Sequence, residues 1–261
     1  MSKAPKYGKW VYCIIGTKRK ESFGPMGMGE RGDEVHTLHY RDLAAVVSDC
    51  PFVKYPVSRE NSLAHQRVIE KVNERHAVLP VRYGTIADSE EQVPEILKVR
   101  YDEFKSTLKY VADKTELGVK AVWKDGLIFW EIVEESPAIR SLKAQIEGHP
   151  PEKTHYQRIK IGELVEAALQ AKREREGWEI LKALVKLSVD HRENRILHDR
   201  MLLNAAFLVA EKDQAAFDEE MNRLGAKRGA RMEFRYIGPI APFNFVEIFI
   251  DFDELKAAKV S

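Results

Sequence analysis

The stretch Leu202-Leu203-Asn204-Ala205-Ala206-Phe207-Leu208-Val209 leads to Asp213, then to Phe217, Met221 and Leu224 at helical spacing, and closes on Met232-Glu233-Phe234-Arg235-Tyr236. The first run is almost wholly apolar and too short for a helix, so it predicts a buried strand. Asp213 is placed to cap the helix that follows, and Gly225 to stop it. In the last run Met232, Phe234 and Tyr236 alternate with Arg231, Glu233 and Arg235, the period of a half-buried strand. Upstream lie a strand over 119–123, a long helical pattern over 156–189 and a candidate strand within 190–197. Together they give the order β-α-β-β-α-β, the ferredoxin-like plan.

The remaining segments fill in around this frame. Residues 137–147 predict a short helix, broken by Gly148-His149-Pro150-Pro151. The charge run 172–176 interleaves both signs and reads as a solvated helix exterior, with Gly177 as an interruption. Asp125-Gly126 either turns a hairpin into a strand over 127–133 or caps a helix bearing Ile128, Ile132 and Val133. The turn at 115–118 marks the boundary between two domains. The expected fold class is α+β: an N-terminal mixed α+β domain, 1–116, and a C-terminal ferredoxin-like domain, 117–261, with a long helical insertion and a closing Gly-Pro-rich strand segment.

In the N-terminal part, Trp10-Val11-Tyr12-Cys13-Ile14-Ile15 reads as a buried strand, and 35–40 and 43–48 as two strands joined by a tight turn at Arg41-Asp42. Between them, 17–33 holds Gly24-Pro25-Met26-Gly27-Met28-Gly29 without the GK[ST] ending of a phosphate loop, and reads as a mobile surface loop. Residues 58–76 predict a helix capped by Ser58 or Asn61, with Ala64, Val68, Ile69 and Val72 on its inner face. Ser89-Glu90-Glu91-Gln92 fits a capping box opening a second helix that carries Val93, Ile96, Leu97, Tyr101, Phe104, Leu108 and Val111.

Composition narrows the function classes. Lys plus Arg number 42 against 41 Asp plus Glu, a net charge of +1 that provides no long-range attraction to nucleic acid or anionic lipid. No run approaches the roughly 18 apolar residues of a membrane span, and no secretory h-region opens the chain, so the expected address is cytoplasmic. Cys13 and Cys50 stand apart without a CxxC and read as buried free thiols. The histidines show no HxxxH or HExxH spacing, and no GxSxG, SxxK or HRD-type motif occurs; neither metal, cofactor nor catalytic residue is expected.

Two further segments carry the site reading. Ala77-Val78-Leu79-Pro80-Val81-Arg82-Tyr83-Gly84-Thr85 is an apolar strand running into a turn, with Pro80 pointing to a sheet edge or bulge. Arg82 either pairs with Glu70 or Glu74 of the preceding helix or contacts an acidic group or C-terminus of a partner. Tyr236-Ile237-Gly238-Pro239-Ile240-Ala241-Pro242-Phe243-Asn244-Phe245-Val246-Glu247-Ile248 combines rigid prolines with large apolar area. That suits a recognition surface or a clamp on the core equally. The candidate partner-binding residues are Arg82, Tyr83, Gly84, Pro239, Pro242, Phe243 and Phe245.

A helix ending in Glu74-Arg75-His76, the LPVRYGT strand and the closing YIGPIAPFNFVEI element resemble the gas vesicle protein F and L family over about 10–249. Family members carry Phe where this chain has Tyr83, and often Trp where it has Ile240; both changes keep an apolar side chain. The resemblance favours the helix after Asp125-Gly126. It implies a non-enzymatic accessory or minor structural protein of gas vesicle assembly, associated with gas vesicles in the cytoplasm. Its implied partners are the hydrophobic shell protein and other gas vesicle accessory proteins, with neither nucleic acid nor membrane. The alternative is a small-molecule enzyme or regulatory domain on a ferredoxin-like sheet, which requires a pocket with converging polar groups and a strongly shifted titrating residue. RNA binding ranks last, because Arg231 and Arg235 face away from Phe234 and Tyr236.

Overall fold

A computed structural model describes residues 7–28 and 31–252. The chain is a mixed α+β protein that divides into two compact units, Met1–Glu116 with Pro239–Ser261, and Leu117–Gly238. The expected second domain, 117–261, is therefore corrected at its end. Val246, Ile248, Ile250 and Phe252 are buried in the first unit's core beside Val11, Ile14 and Leu79, and apolar burial decides where a closing segment belongs.

The first unit comprises β1 (Tyr7–Ile15), β2 (Ser22–Gly24), β3 (Val35–Tyr40), β4 (Leu43–Pro51), α1 (Arg59–Asn73), β5 (Val78–Pro80), β6 (Ile86–Ala87), α2 (Gln92–Val99) and α3 (Tyr101–Val111). Its sheet runs β2-β3-β4-β1-β5, with β6 also paired to β1. The unbroken apolar run of β1 follows from cover on both faces. Along β4, Leu43, Ala45 and Val47 face one core with α2 and α3, while Ala44, Val46 and Cys50 face another with α1. In β1 a bulge between Val11 and Cys13 shifts the alternation, so Trp10, Tyr12, Cys13 and Ile15 all enter the α1-side core. Ser58 caps α1, its hydroxyl accepting the Asn61 amide at 3.1 Å.

Three local expectations change. The loop 17–33 is anchored: Met28 is fully buried and its amide donates to the Tyr12 hydroxyl at 2.8 Å. A Cβ at Gly27 would meet the Asp33 carbonyl at 2.8 Å, so glycine permits the close approach; Gly29 lies outside the described residues. The capping box does not form, because the Gln92 side chain takes the Asp88 amide and Glu91 precedes α2 without a side-chain cap bond. The second helix is divided at Arg100 (φ −104°, ψ 25°) into α2 and α3, both of which keep their apolar residues in one core.

The second unit comprises β7 (Lys114–Trp123), α4 (Leu127–Glu135), α5 (Pro137–Ile146), α6 (His155–Val185), β8 (Asp190–Glu193), β9 (Met201–Ala210), α7 (Gln214–Arg228) and β10 (Met232–Ile240); the chain enters it within β7 and leaves it within β10. Its sheet order is β10-β7-β9-β8. Leu117, Val119, Ala121 and Trp123 of β7 and Leu203, Ala205, Phe207 and Val209 of β9 share one core with apolar residues of α4 to α7. Gly126 (φ 72°) occupies the position before α4 expected of Asp125. Asp213 precedes α7 without a side-chain cap bond, and α7 continues past Gly225 to Arg228.

Helix α6 is unbroken over 31 residues. Gly177 is buried in its middle, where a Cβ would lie 2.9 Å from the Leu202 carbonyl, so the glycine lets β9 pack on the helix. The run 172–176 is solvated only at Glu174 and Arg175, since Lys172 and Glu176 are each only 6% exposed. Lys172 reaches Glu131 and Glu135 at 3.3 and 2.8 Å. Arg231 pairs with Glu131 and Glu176, and the Trp123 indole donates to Glu176 at 3.1 Å. These partners lie in distant elements and supply the compensation a buried charge requires.

Gly177→Ala should therefore destabilise by about 2 kcal/mol through overpacking. Gly162→Ala, in the same helix with open space around it, should stabilise by about 0.5–1 kcal/mol through helix propensity alone. Urea denaturation of both variants checks the opposed signs.

Candidate functional site

Between Pro80, paired with Cys13, and Ile86, paired with Trp10, the stretch 81–85 faces only Val11 and Tyr12 of β1. It must arch away from the sheet. Its ends are tied by the Val81 amide to Tyr12 O and by the Val11 amide to Thr85 O, both at 2.9 Å. Gly84 takes φ +85° at the crest, a conformation costly for other residues, and the Thr85 hydroxyl closes the arch onto Arg82 O at 2.7 Å. Arg82 is exposed there.

The other wall comes from the closing segment. Ile248 bridges Val81 in parallel, accepting the Arg82 amide at 3.0 Å and donating to Pro80 O at 3.1 Å. The next residue, Phe249, is 56% exposed, with the Arg82 guanidinium 5.6 Å from its ring centre. The Arg100 guanidinium donates to the Phe249 carbonyl. Phe52, 44% exposed, lies on the same cleft, which has a volume of about 470 Å³ and includes Arg82, Tyr83, Gly84 and Phe249. Glu74 pairs with Lys71, and the Glu70 carboxylate faces the Ala241 amide. Among the described residues Arg82 joins no ion pair. The cleft thus offers aromatic surface beside an exposed cation, with the carboxylates of Asp88 and Asp251 also in its lining; within it Arg82 is the position suited to a carboxylate carried by an apolar chain.

The candidate residues separate into two groups. Arg82, Tyr83 and Gly84 line the cleft; Pro239, Pro242, Phe243 and Phe245 do not. Tyr83 is shared with the interior: its ring packs edge-on to Trp10 and His65, and its hydroxyl donates to Pro56 O at 3.0 Å. Pro239 is exposed at the end of β10, whereas Pro242 is buried. Phe243 packs on the α1-side core and Phe245 on the opposite one. The turn between them is held by Glu116, whose carboxylate receives the Asn244 backbone amide at 2.7 Å and its side-chain amide. Burial pushes the Glu116 carboxyl above its usual range, and the two Asn244 donors counter this.

Phe249 and Phe52 are absent from the residues that sequence reasoning selects. A signal for Phe249 is present: Val246, Ile248, Ile250 and Phe252 keep strand alternation, which leaves Glu247, Phe249 and Asp251 on the outward side. An aromatic ring among outward carboxylates is an exposed apolar group. Among the described residues no group of three or more His, Cys, Asp and Glu is placed to hold a metal ion, and no helix is long and apolar enough to cross a membrane.

Behind the arch stands His65. Because the Trp10 indole can only donate, its 3.0 Å bond to His65 Nδ1 places the ring proton on Nε2, which donates to Val81 O at 3.0 Å. Tyr12, Tyr83 and Trp10 surround the ring without a countercharge. Burial holds its pKa down at about 4, against a smaller opposing effect of Val81 O.

The unfolded chain binds a proton at His65 more readily than the folded one, so this contribution is present above about pH 6.5 and is lost as pH falls toward 4. Between about pH 7 and pH 5 the stability advantage of the wild type over His65→Gln should shrink by about 2 kcal/mol. Paired denaturation curves at the two pH values isolate this effect from the carboxylates.

The family model described as "Gas vesicle synthesis protein GvpL/GvpF" matches residues 8–247. Gas vesicle protein F of Streptomyces sp. (strain CB03234) is 30% identical over 222 residues, 85% of this chain and 91% of that protein. Gas vesicle protein F of Dolichospermum flosaquae is 24% identical over 244 residues, 92% and 97% of the two chains. The crystal structure of GvpF from Anabaena sp. PCC7120 superposes with a TM-score of 0.79 at 22% identity, covering 92% of this chain and 98% of that one.

Proposed function

Since the chain belongs to the GvpL/GvpF family of gas vesicle synthesis proteins, we propose that it is a non-enzymatic accessory protein of gas vesicle assembly that binds the hydrophobic shell protein through the Arg82–Phe249 cleft. In this reading the protein works in the cytoplasm, associated with gas vesicles and with other accessory proteins. The observation that carries it is the exposed pair of rings, Phe52 and Phe249, beside an arginine that joins no ion pair among the described residues. An apolar strand of a shell subunit lodged there would be shielded from self-association while a carboxylate meets Arg82. Gly84 and Tyr83 serve by shaping the arch. Pro242, Phe243 and Phe245 serve by fixing the closing segment that carries Phe249, and Pro239 by limiting the freedom of the approach to it.

We read the second unit as ferredoxin-like with a helical insertion, a reading supported by its element order and by the sheet order β10-β7-β9-β8. The small-molecule alternative is not favoured. Cys13, Tyr12 and His65, pushed far from their usual ranges by burial, are buried inside the first unit and line none of the clefts described for the molecule.

Pulldown of the shell subunit by purified chain tests the proposal. Arg82→Glu and Phe249→Ser should each weaken capture by about tenfold, with thermal melts near wild type because both side chains are at the surface. Phe243→Ala should lower the melting temperature instead, since it removes part of a core contact. Undiminished capture by the folded Arg82→Glu and Phe249→Ser variants would remove the cleft from the interface.

A further inference from the structure

The second unit holds a larger cleft, about 760 Å³, bounded by α4, α6 and the stretch before β9. Its apolar surface includes Phe129, which is 38% exposed, and Val165. Its rim is acidic, with Glu163, Glu166 and Asp199. The cation of the lining, Arg173, is turned into the walls: Nε donates to Met201 O at 3.1 Å, Nη2 to Asp199 O at 3.0 Å and Nη1 to the Gln170 side chain. Arg173 therefore fixes the wall before β9 to α6, and its single charge stands in the lining against the three carboxylates Glu163, Glu166 and Asp199. Glu163 pairs with Lys160; among the described residues Glu166 and Asp199 join no ion pair. The chain as a whole carries a net charge of +1, so this acidic rim is a local arrangement.

We propose that this groove receives a cationic amphipathic helix of a partner polypeptide. A helix is about 10–12 Å across with its side chains, and three elements border a groove rather than a closed pocket. Glu163 and Glu166 are one turn apart on a single face of α6, matching Lys or Arg residues at the same spacing on an incoming helix. Asp199 supplies a second negative position on another wall. Phe129 and Val165 would receive the apolar stripe, the arrangement by which helices are read in grooves through i, i+3 and i+4 anchors. The proposal goes beyond the shell-protein reading, because it uses neither Arg82 nor Phe249.

The test uses the full chain and a fluorescent Leu/Lys amphipathic helix of about five turns carrying a benzophenone on its apolar face. Anisotropy should show binding that weakens as salt rises from about 50 to 200 mM. Charge reversal at the rim, Glu166→Lys with Asp199→Lys, should raise Kd by at least about tenfold, and Phe129→Ser by a similar factor. Arg82→Glu should leave Kd unchanged. Photo-crosslinks should fall on α4, α6 or residues 195–200. The rim residues are at the surface, so charge reversal remains decisive even if Phe129→Ser fails to fold. Crosslinks elsewhere, a Kd within about twofold of wild type after charge reversal, or equal binding of a Leu/Glu helix would overturn the proposal. Loss of shell capture with this binding intact would sink only the earlier reading.

Discussion

The backbone pairing of Ile248 with Pro80 and Arg82 is the constraint on which the first unit's surface depends. Strand β5 needs cover on its outer side, and Pro80 contributes an acceptor there but no donor. Ile248 meets both requirements, giving its amide to Pro80 O and accepting the Arg82 amide. Once that register is set, alternation buries Ile248 and Ile250 and turns Phe249 outward. A slip of one residue would send Phe249 into the core and expose the isoleucines. The cleft is thus a by-product of closing a sheet edge, and no separate element has to be built to hold it.

The local parts of this design are legible in the sequence, and the distant parts are not. The apolar runs of β1 and β9 and the Ser58 cap each follow from neighbours within a few positions, whereas the residues around Asp125-Gly126 fit a hairpin or a helix alike and the family resemblance decides for the helix. Lys172 and Glu176 read as solvated because nothing within a turn of them reveals Glu131, Trp123 or Arg231. Gly177 reads as a helix interruption, since the close approach of Leu202 O is a tertiary fact. The same holds for the turn 241–244, whose amides depend on Glu70 and Glu116, residues that precede it by about half the chain or more. Of the site, Arg82, the Gly84 turn and the outward position of Phe249 can be found locally, whereas the meeting of Arg82 with that ring is a tertiary fact.

Buried and half-buried carboxylates serve structural tasks in both units, and each task explains its electrostatics. Glu116 is raised by burial while its oxygens accept Asn244, and Glu70, raised by burial as well, faces the Ala241 amide. Glu131 is instead held low, chiefly by its bonds to Arg231. Perturbed carboxyl groups often mark catalytic sites. Here their lone pairs are already committed to a turn or to an ion network, so the perturbation is accounted for by folding.

The two clefts differ in the charge set beside their exposed rings, a cation in the first and carboxylates in the second, although Asp88 and Asp251 also line the first. The first sets the exposed Arg82 against aromatic rings, and the second sets Glu166 and Asp199 around Phe129. With a net charge of +1 the chain exerts little long-range pull on either kind of partner. Discrimination then rests on contact: a segment of the wrong sign leaves a desolvated charge facing its like, which costs more than the apolar contact returns. Near-neutral composition and locally charged apolar clefts are therefore compatible parts of one recognition strategy, in which selectivity arises after encounter and resides in the dissociation rate.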